Sequence, residues 1–447
     1  MCIIKITTSY NCLITNAVNH NGILTSIPKK TLNNTINIYR QAVSYLIPIV
    51  NDHWNNIVDL PSLKQVNYIE YLVHTTDKHT AVYDFDKLFY KFPSYLRRSA
   101  INDAIAKVKP YQTNYNKWLQ NGKLGKPPKL NCYHFVAPVF FKSNMYDKID
   151  DFIIKIKIYY NNDWVWLTVK LKNTDVKYLQ HHCKNKTELS PILVKSKNNY
   201  YLKFVYDEQV KLNTTNELKS RIVAVDLGLN NDATMCLMDS TGTVYARQFV
   251  NIAYEKDQLT HLLNKIKRDQ KHYGYQNKAL WRQVNHINEQ ISCKTSLAII
   301  GFAIANQADC IVFEHLQLNG KKRGKVKQKL HLWRAKHIQA IVALKAHQNG
   351  IRISRVCAFN TSKLAYDGSG NVTRGEYTIK GKTHYNYSIC KFSTGKQYNC
   401  DLNASYNIGA RFFLRAYDKT AKEEHKVKVK VSERTLHTLK EYIKSCV

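Results

Sequence analysis

The chain has 447 residues, with 67 Lys and Arg against 33 Asp and Glu, a formal charge of +34. Its 44% apolar and 11% aromatic residues exclude a disordered chain, and the length holds two or three domains with real cores. The charge excess points to a polyanionic partner, because every neutralised phosphate releases condensed counterions, while no window reaches the ~20 apolar residues that span a bilayer.

The opening stretch "MCIIKITTSYNCLITNAVNH" lacks the basic, apolar and small-residue order of a secretory leader. A soluble, cytoplasmic protein without membrane contact is therefore expected. Eleven cysteines lie scattered, none at C-x2-C spacing, and read as buried thiols rather than a disulfide framework.

In chain order, 27–124 has apolar groups at helical spacing, as in "TLNNTINIYRQAVSYLIPIVNDHW" and "SYLRRSAINDAIAKVKPYQTNYNKWLQNGK". "GKLGKPPKL" breaks the pattern with Gly and Pro. From 131 to 212 the texture becomes β-branched and aromatic, as in "FIIKIKIYY" and "WVWLTVKL", predicting a small barrel or sandwich completed by the opening strand. A third texture starts near Arg221: three strands in "RIVAVDLGLNNDATMCLMDSTGTVYARQFV", helix over 254–307, the strand "CIVFEHL", a basic linker and helix, the strand "IRISRVCAF", and a last helix from Asp401.

Asp226 closes the apolar run "IVAVD", Glu314 closes "CIVFE", and Asp401 opens a helix, where its charge suits the N-terminal dipole. One such acid reads as a turn residue or cap. Two after apolar runs and a third at a helix start read as a site, because unpaired acids are costly at buried strand ends. A three-strand meander followed by helix, strand, helix, strand, helix is the order of an RNase H-like fold. It makes the first and fourth strands parallel neighbours and brings the last helix across from them. Converging carboxylates repel unless cations neutralise them, and hard oxygen donors suit Mg²⁺ or Mn²⁺. Two ions about 4 Å apart would serve phosphodiester hydrolysis.

At these residues "VAVDLGLNNDAT", "IVFEHL" and "CDLNASYNIGA" resemble the three RuvC motifs of the TnpB family, RNA-guided nucleases of insertion sequences related to type V CRISPR effectors. The resemblance implies that Asp226, Glu314 and Asp401 are metal ligands that cut DNA with Mg²⁺. It implies guide RNA and double-stranded target DNA as partners, in a prokaryotic cytoplasm with action at the nucleoid. The implied fold class is α+β multidomain: an RNase H-like (RuvC) nuclease domain (216–356 and 398–447) and a β-barrel (WED; 1–26 and 126–215). An inserted helical domain (REC) covers 27–125. His315 stands where the family commonly has a second acid.

The family usually carries a four-cysteine zinc ribbon between its second and third motifs. Here Ala365 and Gly368 occupy the first pair of positions, Cys390 remains, Ser393 replaces its partner, and Cys400 has moved against Asp401. Cys357, Cys390, Cys400 and His384 could supply four ligands only at unfamiliar spacing. The expectation is a degenerate ribbon over 357–397 that holds target nucleic acid without zinc, as a hairpin packed on the aromatics of "GEYTIKGKTHYNYSICKF".

Residues 319–336 hold eight Lys or Arg and no acid. A charge run is ordinarily a solvated face, but this one follows a strand of the proposed site. Lys321, Lys322, Arg323, Lys325, Lys327 and Arg334 are therefore phosphate-contact candidates, with Arg97, Arg98, Lys126 and Lys129 in the amino half. The function expected is guided DNA cleavage of TnpB type or by a compact type V effector. A guide-bound, non-cleaving repressor and an unguided resolvase or transposase of the same fold are the other readings.

Overall fold

Apolar residues at period 2 make strands here and those at 3.6 make helices. The computed structural model describes residues 3–19, 21–133, 135–213, 216–274, 277–316, 327–379, 381–422 and 425–446. They fall into two compact units, Thr7–Glu208, and Met1–Ile6 with Gln209–Val447.

The strands of the amino unit are β1 (Ile3–Val18), β2 (Leu24–Thr25), β3 (Tyr146–Lys148), β4 (Ile153–Tyr160), β5 (Asp163–Leu171), β6 (Thr187–Ser196) and β7 (Asn199–Lys211). Its helices are α1 (Lys29–Asp52), α2 (Trp54–Ile57), α3 (Ser62–Val73), α4 (Phe85–Leu88), α5 (Ser94–Gln120) and α6 (Asn173–His182). The sheet runs β3-β4-β5-β1-β7-β6, with β2 on β1, so the opening strand lies between β5 and β7. The sheet curls. A segment near Val139 bridges to Ile192 of β6 and, through Lys142, to Tyr146 of β3. Ile154, Ile156 and Ile158 of β4 alternate inward and share one core with Leu32, Ile36, Tyr39 and Leu46 of α1 and with Leu96 and Ile101 of α5. The helical and strand textures, which read as separate modules, therefore bury their apolar faces together.

In the carboxyl unit β8 (Ile222–Asp226), β9 (Ala233–Met238), β10 (Val244–Val250), α7 (Ala253–Tyr273), α8 (Lys278–Ala305) and β11 (Cys310–His315) are followed by α9 (Lys327–Leu332), α10 (Ala335–Gln348) and β12 (Arg352–Cys357). Then come β13 (Thr373–Ile379), β14 (Lys382–Lys391), β15 (Gln397–Asn399), α11 (Cys400–Thr420) and α12 (Leu436–Cys446). The main sheet runs β10-β9-β8-β11-β12. β8 is antiparallel to β9 and parallel to β11, which is parallel to β12.

The period of 2 divides this sheet between two cores. Val223, Val225, Met235, Leu237, Ile311 and Phe313 face residues of α8 and α10 such as Ile299 and Val342. Ile222, Ala224, Cys236, Met238, Cys310 and Val312 face Ile408, Phe412 and Phe413 of α11 and Leu439 of α12. Asp226 continues the series 222, 224 and Glu314 the series 310, 312. Both acids thus belong to the face covered by α11. Among the described residues no helix is long and apolar enough to cross a membrane.

Candidate active site

The last paired residues of β8 and β11 are Val225 and Phe313, so Asp226 and Glu314 emerge side by side at the same end of the sheet. Gly228 begins the turn after Asp226, where a Cβ would lie 2.8 Å from the Asn231 carbonyl oxygen; only glycine closes it. Asp401 reaches the same place from α11. Asn399 caps that helix, its side-chain oxygen accepting from the Asp401 and Leu402 amides at 3.0 and 2.9 Å. Gly409 lets α11 lie close on the sheet: a Cβ there would meet Met238 Sδ at 3.0 Å and Ala224 Cβ at 3.3 Å.

All three acids are half-buried, enclosed enough to interact and open enough to meet a ligand. Burial drives the Asp226 carboxyl well above the usual carboxylate range, with the charges of Glu314 and Asp401 adding to it and Arg374 opposing. Glu314 is raised by burial as well, against a hydrogen bond from Thr361 and the charges of Arg411 and Arg374. Two neutral donors hold the outer pair: Thr361 Oγ1 donates to Glu314 Oε1, and Asn231 Nδ2 donates to Asp401 Oδ2 at 2.9 Å.

Among the described residues no three His, Cys, Asp or Glu side chains converge as an assembled metal centre. The donor set is nevertheless all hard oxygen, and the charges of Glu314 and Asp401 that bear on Asp226 are what a divalent cation would relieve. Such oxygens are the donor type that Mg²⁺ or Mn²⁺ takes.

A stripe of buried polar residues on α11 holds the approach to the site. Asn403 accepts from the Tyr366 amide and donates to the Leu364 carbonyl, both at 2.8 Å. Asn407 donates to the carbonyls of Thr361 and Leu364, each at 2.9 Å. Arg411 donates to the carbonyls of Cys357 and Phe359, both at 2.7 Å, and to those of Arg434 and Ser432. The loop that presents Thr361 to Glu314 is thereby tied to the helix that carries Asp401. Of these, sequence reasoning missed Asn231, Thr361, Arg374, Asn403, Asn407 and Arg411. The i, i+4, i+8 spacing of Asn403, Asn407 and Arg411 in an otherwise apolar helix was a signal in plain view.

Of the four ligands considered for zinc, only Cys390 and Cys400 meet, in a small core with Ala365 and Phe392. Cys357 is exposed and His384 lies on the exposed arm of the hairpin. A hydrogen bond between the two thiols raises Cys390 and lowers Cys400. β13 and β14 do pair as a hairpin, but Tyr385 and Tyr387 on its arm are exposed. The aromatic packing is at the base instead. There Tyr366 lies 5.6, 5.1 and 5.2 Å from the rings of Phe392, Tyr398 and Tyr406. Lys396 sits 4.9 Å over Tyr366.

The expected phosphate contacts divide. Lys321, Lys322, Arg323 and Lys325 lie outside the described residues, and Lys327 starts α9. Arg334 pairs with Glu289. Lys126 and Lys129 are exposed. Arg98 is partly exposed and held by Glu70 and Asn67. Arg97 requires a correction: it is 4% exposed, 3.2 Å from Glu70 and 3.7 Å from Asp86, so its guanidinium is a buried structural cation, not a phosphate ligand.

A family model described as the Aq_aa04 family matches residues 21–160. The TnpB-like protein aq_aa05 of Aquifex aeolicus (strain VF5) is 25% identical over 243 residues, which is 48% of this chain and 74% of that protein. The fold is similar to that of Cas12f1 in a cryo-EM structure of its complex with sgRNA and target DNA. That match has a TM-score of 0.54 at 13% identity and covers 91% of this chain and 99% of the other. The two chains thus share an α+β fold. By sequence the chain is a relative of the TnpB-like proteins.

Proposed function

We propose that the chain is an RNA-guided DNA endonuclease of TnpB type. The carboxyl unit would be its RNase H-like (RuvC) nuclease, and the amino unit its WED and REC parts. The observation that carries the reading is that Asp226, Glu314 and Asp401 lie at one end of the sheet, near enough for the charges of Glu314 and Asp401 to add to the burial that raises Asp226. Asp226, Glu314 and Asp401 would hold the divalent ions, which when bound would supply Lewis acidity for phosphodiester hydrolysis. Thr361 and Asn231 hold Glu314 and Asp401 by one oxygen each and leave the other oxygen for a cation. Arg374, whose charge reaches both Asp226 and Glu314, would offer a cation to a phosphate brought to these acids. The buried ties of Arg411 and Asn407 keep these groups in register, the preorganisation that phosphoryl chemistry needs.

Guide RNA and double-stranded DNA are the proposed partners. The charge of +34 supports them, and so does the fold shared with an effector solved on sgRNA and target DNA. Base pairing by the guide would read sequence while the protein reads shape and backbone. The test is cleavage of a plasmid carrying a guide-matched site, in Mg²⁺ and in EDTA. Mg²⁺-dependent cutting that Asp226→Ala abolishes without loss of guide binding supports the proposal. Guide-directed binding without cutting by the unaltered chain would establish the repressor reading.

A further inference from the structure

α5 is longer than the core that supports it. Its last buried residue is Val108, and its last side-chain tie to α1 is the 2.8 Å bond from Gln112 to Asn51. Pro110 lies inside the helix, where it removes one backbone donor. Beyond it the helix runs on to Gln120 with no buried side chain.

This free stretch is aromatic along one stripe. Tyr111, Tyr115 and Trp118 follow at i, i+4, i+7, the spacing of one helix face. Tyr111 and Tyr115 stack with centroids 5.9 Å apart at 28°, and Tyr115 and Trp118 lie 5.6 Å apart at 38°. Each of the three is half-exposed. Trp118 donates its ring N–H to the Gly125 carbonyl at 3.3 Å, which fixes the indole by its edge. One stacked and one tilted ring pair, held in a row at the surface, complete no core.

Charge says what covers them. From 104 to 146 there is no Asp or Glu, while Lys107, Lys109, Lys117, Lys123, Lys126 and Lys129 fall in the first part of that window. An apolar helix partner would not need this field, and an acidic peptide would not need a row of rings. Aromatic faces interleaved with cations are the means by which proteins hold unpaired bases on a phosphate chain.

We propose that Tyr111, Tyr115 and Trp118 form a stacking platform for unpaired bases of a single-stranded nucleic acid, whose phosphates the flanking lysines neutralise. The platform needs a nucleic-acid partner but not the carboxylates of the other unit, and it stands whether or not the protein cuts.

The test uses the full chain freed of nucleic acid and roughly 12-nucleotide probes: oligo(rU), oligo(dT) and an abasic deoxyribose-phosphate strand of equal length. In Tyr115→Leu/Trp118→Leu, affinity for the base-bearing probes should fall about tenfold or more. The abasic strand should bind as it does to the unaltered chain, and the salt slope should stay the same. Lys109→Gln/Lys117→Gln should instead flatten the salt dependence for all three probes, by about 0.7 per lysine lost. Tighter oligo(rU) places RNA on the platform, and tighter oligo(dT) places a DNA strand there. The proposal is overturned if the aromatic variant binds base-bearing probes normally, or if it weakens the abasic strand equally. The same variant with unchanged melting excludes misfolding; if it melts early, Tyr111→Leu, farther from the Gly125 contact, repeats the comparison. Cleavage lost in Asp226→Ala reports on the other unit alone, so the two claims fail separately.

Discussion

Replacing Asn407 by Ala removes three hydrogen bonds at once: those to the Thr361 and Leu364 carbonyls at 2.9 Å each, and the one accepted from the Leu436 amide at 3.2 Å. The residue is 0% exposed, so water does not replace them. The Leu364 carbonyl keeps its bond from Asn403 at 2.8 Å. Thr361 and Leu436 are the groups whose loss matters. At roughly 1 kcal/mol per bond, with a further penalty for groups left dry, the variant should lose about 3–5 kcal/mol. Over a unit of this size that lowers its melting temperature by roughly 6–15 °C. Differential scanning calorimetry of the full chain, following the transition of the carboxyl unit, reads the shift directly. Because Thr361 holds Glu314, the variant should also need more Mg²⁺ for half-maximal stabilisation. A melting temperature within about 1 °C of the unaltered protein would refute the claim that this tie supports the site.

The metal-free protein should become less stable as pH rises. Asp226 binds a proton more tightly folded than unfolded, so its favourable contribution is complete below the ordinary carboxylate range and is lost as pH climbs through the raised native value. Melting curves in EDTA should show that slope, and Asp226→Asn should flatten it and raise the melting temperature near pH 7. Gly409→Val presses a side chain onto Met238 and Ala224 and should cost about 1–3 kcal/mol by overpacking, seen as an earlier denaturant midpoint. Arg97→Met removes one partner each from Glu70 and Asp86, which keep Arg98 and His74, and should cost about 1.5–3 kcal/mol; loss of nucleic-acid affinity at unchanged stability would contradict that assignment. Elemental analysis should find no stoichiometric zinc, and a chelator should leave the melting of 357–397 unchanged.

What could be read from the sequence is what short-range periodicity encodes. The alternation in "IVAVD" and "CIVFE" fixes which face each acid takes, and the order of elements makes their strands parallel neighbours. Asp401 needed only a helix start, although the cap turned out to be Asn399, two residues earlier. The parts that were missed are made by contacts between distant segments. Nothing near Thr361 announces that it will reach Glu314, 47 positions away, nor near Asn231 that it will hold Asp401. Arg97 and Arg98 look alike in "LRRSA", yet the helix turns one inward to Glu70 and Asp86 and leaves the other partly exposed. The hairpin of 373–391 followed from its alternation, whereas its aromatic support came from Tyr366, Tyr398 and Tyr406, which stand outside those strands.

The measurement that tests the central claim most directly is guided cleavage by the purified chain with its co-purifying RNA. The RNA is sequenced first, and a plasmid matching its variable end is then incubated in Mg²⁺ with the unaltered protein and with Asp226→Ala. The account predicts a cut at the matched site by the unaltered protein alone, none in EDTA, and a cut that moves when the guide is reprogrammed. Cutting that ignores the guide, or that survives Asp226→Ala, would contradict it.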